Sequence, residues 1–337
     1  MRYRWKPLLL LATFCSAAVL LSSPARAAEE LKLAHFMPPV HTLHVQVFEP
    51  LAQALAAETK GALTIRIYPA GALGKGPVQQ YKRVVTGVAD ITFCLQNYTA
   101  NLFPRSLLIT RPGLVASAEA GTRKLWEVYD PWLKEEYKEV KLLGLWAMSP
   151  TTLMMREKKV ATLADVKGLK VRISSPIESE LVKAWGGVPV AMPITESYSA
   201  LATGVVDAVL IQPSALYKPW NLSEPAKHLT VGLPSPTSVV FLAMNKARWE
   251  GLSPENQAAL DRLTGPNFSI QASILWSAKD TDAVDRAAKD PDLTVTRLTE
   301  SARAAFAEAA RPTIAKELAR LEGLGIDAQG LYQALQE

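Results

Sequence analysis

Gly168-Leu-Lys-Val-Arg172, Val188-Pro-Val-Ala-Met192, Thr195 to Gly204 and Val206-Asp-Ala-Val-Leu-Ile211 follow one another within some forty residues. Residues 169–173 and 188–192 alternate as short strands, while 177–185 and 195–204 carry apolar residues at helical spacing and end on glycines. The run 206–211 is a continuous apolar strand. Strand, helix, strand, helix, strand is the pattern of an α/β layer with a largely parallel sheet. Within it Arg172 is misplaced, because a guanidinium among apolar neighbours needs an anion, and its planar fork suits a carboxylate held by two parallel hydrogen bonds. The anion is either a protein carboxylate, Glu196 or Asp207, or a ligand. A surface arginine with its stem along the sheet is the plain alternative.

These residues also carry a resemblance. Leu163-Ala-Asp-Val-Lys-Gly168-Leu-Lys-Val-Arg172, then Pro193-Ile-Thr-Glu196-Ser-Tyr198-Ser-Ala-Leu201-Ala-Thr-Gly204-Val-Val-Asp207, resembles the signature of the solute-binding proteins of TRAP transporters, the tripartite ATP-independent periplasmic carriers. Leu73-Gly74 and Thr86-Gly-Val-Ala-Asp90 extend the likeness, which runs loosely over nearly the whole chain after the leader. The resemblance implies a two-lobed periplasmic binding protein of Venus-flytrap type, each lobe built from discontinuous pieces, with a long helix linking the lobes. It implies that Arg172 grips a substrate carboxylate, that membrane permease subunits are partners, and that neither a cofactor nor ATP is needed.

Two departures from the family pattern bear on the ligand. Where many members have Gly-Phe-Arg, Pro150-Thr-Thr152 stands, so a second arginine is missing. Where many read Gly-Gln-Glu-Asn-Pro after the aspartate, Ala208-Val-Leu-Ile211-Gln212-Pro213 leaves Ile211 or a shifted Gln212 in the place of the asparagine.

Composition bounds the rest. Arg2, Arg4 and Lys6, the apolar run 8–21 and Ala25-Arg-Ala27 form a secretory leader cleaved after Ala27, too short to span a bilayer comfortably. The leader holds four of the 37 Lys and Arg residues and no acids, so the formal charge of +5 falls to +1 for 28–337. Nucleic acid and anionic membrane lose their argument as partners, and the protein is expected in the periplasm, not inserted in a membrane. Cys94, in a buried strand, is left without a partner and reads as inert packing.

A chain of this length exceeds what one core usually fills. The expected division is 28–149 with 238–277 for lobe 1 and 150–237 with 278–337 for lobe 2. Strands are expected at 31–35, 63–68, 91–95, 141–148, 153–156, 238–244 and 293–298 besides those above. Helices are expected at 43–57, 78–85, 117–137, from Ser253 to Gly265, at about 267–288 and at 300–323. Ligands in such sheets sit at strand carboxyl ends. That brings forward His35, Phe36, Asn97, Tyr98, Trp146, Met148, Met192 and Gln212 as ligand-binding candidates beside Arg172. Glu196 and Asp207 are read as supporting residues behind them.

His35, His41 and His44 lack a fourth ligand at diagnostic spacing, so no metal is expected. Gly-x-Ser-x-Gly is absent, and Gly71-Ala-Leu-Gly-Lys-Gly76 lacks Walker spacing. An enzyme is thus the weaker class. One cation among large apolar residues points to an organic monocarboxylate with an aromatic or apolar body, since a sugar acid or dicarboxylate asks for more polar partners. The alternatives are a ligand-sensing partner of a membrane receptor and an exported hydrolase using His35 or His41.

Overall fold

The computed structural model describes residues 28–337; the leader and its cleavage site lie outside the described residues. Eleven strands build two sheets. They are β1 (Glu29–Ala34), β2 (Leu63–Tyr68), β3 (Ile91–Leu95), β4 (Val140–Ala147), β5 (Thr152–Met155), β6 (Lys170–Ile173), β7 (Val188–Ala191), β8 (Ala208–Ile211), β9 (His228–Val231), β10 (Val239–Asn245) and β11 (Thr294–Arg297). The first sheet has the order β2-β1-β3-β10-β4, the second β11-β9-β5-β8-β6-β7. β1 pairs parallel with β2 and β3, β6 with β7 and β8; β10 runs antiparallel to β3 and β4, and β5 to β8 and β9.

Both faces of each sheet are covered, which is why the central strands read as unbroken apolar runs. In β10 the period of two sorts Val239, Phe241 and Ala243 into one core, with Phe103, Leu107 and Tyr137. Val240, Leu242 and Met244 go to the other, with Leu31, Leu51 and Trp146. The second sheet is packed likewise, Val171 and Ile173 against Leu181 and Phe306 on one face, and Met154 and Val209 against Leu201 and Leu216 on the other.

The chain passes between the sheets after β4, between β9 and β10, again late in the helix Glu300–Glu322, and along the helix Pro266–Ala287. This helix has 22 residues, roughly 33 Å at 1.5 Å per residue. Near its start Ser269 Oγ accepts from the Leu145 N–H at 2.9 Å, and further on Asp280 Oδ1 accepts from the Ser214 N–H at 3.0 Å. It therefore ties β4 of the first sheet to the turn after β8 of the second. The crossings after β4 and before β10 are laced together: Met148 N–H donates to the Ser238 carbonyl and Thr151 N–H to that of Pro236.

Several elements differ from the reading of the sequence, and each has a local cause. The helical stretch 117–137 stops as an α-helix at Glu127 and continues in wide and tight turns, because Pro131 has no N–H to give. Pro50 similarly converts the start of 43–57 into a wide turn, His44–Phe48, before the helix Glu49–Glu58. A further helix, Ala328–Gln336, follows the last element expected from sequence and ends the chain's described structure. The expected boundary set 278–337 wholly in lobe 2, but the helix Glu300–Glu322 straddles. Phe306 and Ala310 pack on the second sheet, whereas Leu318, Leu321, Leu331 and Leu335 join Phe103 and Leu107 of the first. Cys94 is buried and its thiol is pushed up to about 12 by desolvation, the state of a packing residue.

Candidate ligand site between the lobes

Arg172 sits on β6 with Val171 and Ile173 turned into the core behind it, so its side chain points the other way, into the gap between the sheets. It is 2% exposed. Nε donates to the Met192 carbonyl at 3.0 Å, which fixes the plane of the fork. Nη2 donates to Tyr98 Oη at 3.4 Å, a long contact that crosses from lobe 2 to lobe 1. None of the ion pairs among the described residues involves this guanidinium.

Tyr98 arrives from the opposite lobe on the tight turn Gln96–Leu102 that follows β3. Its oxygen also accepts from the Ile194 N–H at 3.0 Å, one of the first-turn donors that a helix leaves without an internal partner; here the helix is Ile194–Ala202. With two donors on its oxygen, and its pKa pushed up by burial, the phenol keeps a proton to give.

These groups meet at a cavity of about 60 Å³ walled by both lobes. Phe36, Phe93, Leu95, Met148 and Trp276 form one side; Ile194, Leu210 and Ile211 face them, with Thr151, Ser174, Gln212 and Ser238 among the polar lining. Phe36 packs tilted on Phe93 and edge-on to Tyr98, centroids 5.9 and 6.4 Å apart. Phe36 and Trp220 each touch the apolar clusters of both lobes. Gln212 Nε2 donates to the Ser149 carbonyl and Ser238 Oγ, both at 3.3 Å, anchoring the lining to the crossing strands.

Of the residues singled out from sequence, Arg172, Phe36, Tyr98, Met148 and Gln212 line the cavity. His35, Asn97, Trp146 and Met192 do not. His35 is enclosed behind the wall, Nε2 2.9 Å from His44 Nδ1, with its ring against Phe48; burial and the neighbouring histidines lower its pKa to about 3. Trp146 lies one step deeper in β4 than Met148, between Phe93 and Phe268. Met192 contributes its carbonyl rather than its side chain. Asn97 bridges the lobes beside the cavity, Nδ2 donating to Ser174 Oγ at 3.3 Å and Glu178 Oε1 at 3.4 Å.

The supporting pair splits. Glu196 is exposed on its helix, where an acid in the first turn is favoured regardless of any ligand. Asp207 clamps the strand that carries Arg172, its Oδ2 accepting from the Lys170 N–H at 2.8 Å and its own N–H donating to the Lys170 carbonyl. His41, weighed from sequence with His35 and His44 as a metal ligand or hydrolase residue, lies at the cavity, as do Ser174, Glu178, Trp220 and Trp276, which sequence reasoning did not single out. Glu178 had a signal that reads as purely structural, since Ser175-x-x-Glu178 is a helix-start motif; the tryptophans had none.

With this geometry in view the comparisons are coherent. Residues 33–320 match the family of bacterial extracellular solute-binding proteins, family 7, and the chain belongs to that family, the solute-binding component of TRAP transporters. A crystal structure of a TRAP solute-binding protein from an unidentified marine microbe, specific for aromatic acid ligands and in complex with metahydroxyphenylacetate, is similar with TM-score 0.87 and 27% identity, over 91% of this chain and 97% of that one. One from Rhodoferax ferrireducens T118, in complex with copurified benzoate, also gives 0.87, at 25% identity over 91% and 96%. The 2,3-diketo-L-gulonate-binding periplasmic protein YiaO of Escherichia coli is 27% identical over 303 residues, 88% of this chain and 89% of its own.

The two-lobed architecture is thus that of TRAP solute-binding proteins, which bind small molecules, work with membrane permeases and are not enzymes. Among the described residues no helix is long and apolar enough to cross a membrane.

Proposed function

We propose that this protein captures a compact organic monocarboxylate with an aromatic or apolar body between its lobes and delivers it to an ion-gradient-driven TRAP permease. The observation that carries the reading is Arg172: a buried guanidinium, steered by the Met192 carbonyl, at the wall of an otherwise largely apolar cavity. A carboxylate there accepts charge-assisted hydrogen bonds from Arg172 and a further hydrogen bond from the Tyr98 hydroxyl, which stays protonated. Phe36, Phe93, Trp276, Ile194 and Ile211 enclose the remainder.

Size and polarity point the same way. One water needs roughly 10–15 Å³ on the measure by which the cavity holds about 60 Å³, so a one-ring acid fits better than a long chain. A sugar acid would bury several hydroxyls, each needing a partner, whereas eleven of the nineteen lining residues are apolar and, beside Arg172 and Tyr98, only His41, Thr151, Ser174, Glu178, Gln212 and Ser238 are polar. The ligand-bound aromatic-acid relatives support the class, while the diketogulonate-binding relative keeps sugar acids in the test. Because ligand touches both lobes, it favours the closed arrangement over an open one, and closure is what a permease can read.

A thermal-shift screen of residues 28–337 against aromatic monocarboxylates, sugar acids and dicarboxylates tests this. Ligand at about a hundred times its Kd adds about 2.7 kcal/mol, several degrees in Tm. We expect the aromatic monocarboxylates to stabilise the protein and a folded Arg172→Met to lose the response. Stabilisation by sugar acids alone, or a response that survives the substitution, overturns the ligand class or the anchor respectively.

A further inference from the structure

The cavity contains an acid that the anchor does not explain. Glu178 lies in the first turn of the helix Pro176–Ala184 and is 1% exposed. Oε2 accepts from the Ser174 N–H at 2.5 Å and from Ser174 Oγ at 2.9 Å, while the Glu178 N–H donates to Ser175 Oγ at 3.2 Å. Those bonds form a helix cap. Oε1 has only the long contact from Asn97 of the opposite lobe, at 3.4 Å.

Capping alone does not require such a place. Asp165 caps the short turn Leu163–Val166 through Thr162 from a half-buried position, and its hydrogen bonds hold its carboxyl below the usual range. At Glu178 the same chemistry operates, yet burial outweighs it and raises the pKa. A cap that sacrifices hydration inside a ligand cavity invites a second role.

The charge inventory of the cavity is short. Its titratable lining residues are His41, Tyr98, Arg172 and Glu178. His41, lowered to about 4 by burial and by His44, is neutral. Tyr98, pushed up by burial, is neutral as well. Arg172 and Glu178 remain, one cation and one carboxylate. The empty site is balanced, a monocarboxylate brings it to one net negative charge, and a dicarboxylate brings it to two.

We propose that Glu178 is a specificity-determining residue, the resident counter-charge of Arg172 that restricts the cavity to ligands bearing a single carboxylate. The inference rests on the carboxylate reading of the site. Repulsion between Glu178 and the incoming anion weakens binding while Glu178 is ionised, so loading favours uptake of a proton at this carboxyl. A second carboxylate meets the same repulsion without a second guanidinium to offset it.

Glu178→Gln separates this role from the cap, because glutamine keeps the size and the oxygen that accepts from Ser174. Titrations of the folded protein with benzoate at pH 8 and pH 5.5 give the first readout. Wild type should bind benzoate at least threefold tighter at pH 5.5 than at pH 8. Glu178→Gln should bind it about tenfold tighter than wild type at pH 8, with little pH dependence. Terephthalate and its monoamide, equal in outline and different by one charge, give the second: the preference for the monoamide should shrink at least tenfold in Glu178→Gln.

Unchanged benzoate affinity with an unchanged terephthalate preference reduces Glu178 to a cap, and weaker benzoate binding by a folded variant overturns the counter-charge role. If the variant fails to fold, the wild-type pH comparison decides, and a flat profile sinks the proposal. Failure of the carboxylate reading looks different: wild type and Arg172→Met then bind the same solutes equally.

Discussion

The two lobes present different titratable groups to the cavity. Lobe 1 holds His35, His41, Cys94 and Tyr98, and burial drives each towards its neutral form. Lobe 2 places Arg172 and Glu178 on adjoining elements, β6 and the helix that follows it, and turns both into the cavity. The cleft is thus asymmetric in composition, a wall of apolar and neutral side chains facing one that carries Arg172 and Glu178; in the proposed function the first selects by shape and the second reads charge. The single polar bridge from the neutral wall to Arg172 is the Tyr98 hydroxyl, which is also the contact that ties the lobes at Ile194. In the proposed function, charge recognition and closure are therefore joined in this one group.

The largest effect that would break this asymmetry is expected at Arg172. Removing one partner of a buried charge pair costs about 2–5 kcal/mol, so Arg172→Met should weaken binding of a stabilising aromatic monocarboxylate by about a hundredfold or more in a calorimetric titration, with the unliganded fold intact by circular dichroism. On the other wall, Phe36→Ala removes a ring that touches both lobes. We expect about a ten- to hundredfold loss for benzoate and little change for acetate, in proportion to the apolar area each ligand buries. Equal losses for both acids would show that Phe36 does not select by shape.

The neutral histidines sharpen the contrast through pH. Unfolded, His35 and His41 titrate at about 6.5; folded, they do so at about 3 and about 4. The unfolded chain therefore binds more protons below pH 6.5, and stability is lost as pH falls from 6.5 towards 4, by up to about 1.4 kcal/mol per pH unit for each histidine. Urea unfolding of the unliganded protein across that range should show the slope, and His35→Asn should flatten it. Smallest is Asp207→Ala, which removes the clamp on the Lys170 N–H. About 1 kcal/mol of stability is expected to go, with only a minor change in ligand affinity because Arg172 keeps its bond to Met192.

How much of this was legible in the sequence follows from the range of each signal. Strands 63–68 and 91–95 lie where the sequence placed them, the first from its alternation and the second from a short buried apolar run, both of them local signals. Arg172 was legible for a related reason, being a charge in an apolar strand. The wall opposite was only half legible. Strand ends predict a cleft, yet Trp146 in β4 and Met148 just past its end pack in one cluster, and only depth within the sheet separates a core residue from a lining one. His35 looked like a ligand contact because it ends β1, but the turn that brings His44 against it closes it off. Trp220 and Trp276 reach the site from a loop and from the long helix, distant stretches that carry no local mark. The straddling helix Glu300–Glu322 escaped because its two apolar patches face different lobes, which cancels the single stripe an amphipathic reading looks for.

The most direct test of the asymmetric cleft is the preference for benzoate over benzamide, measured by titration on wild type and on folded Arg172→Met. The two ligands share a ring and differ in charge. If lobe 2 reads charge through Arg172, wild type prefers benzoate by about a hundredfold or more and the variant has no preference left. A variant that still prefers benzoate by the wild-type margin would contradict the account, and the carboxylate would have to be held elsewhere in the cleft.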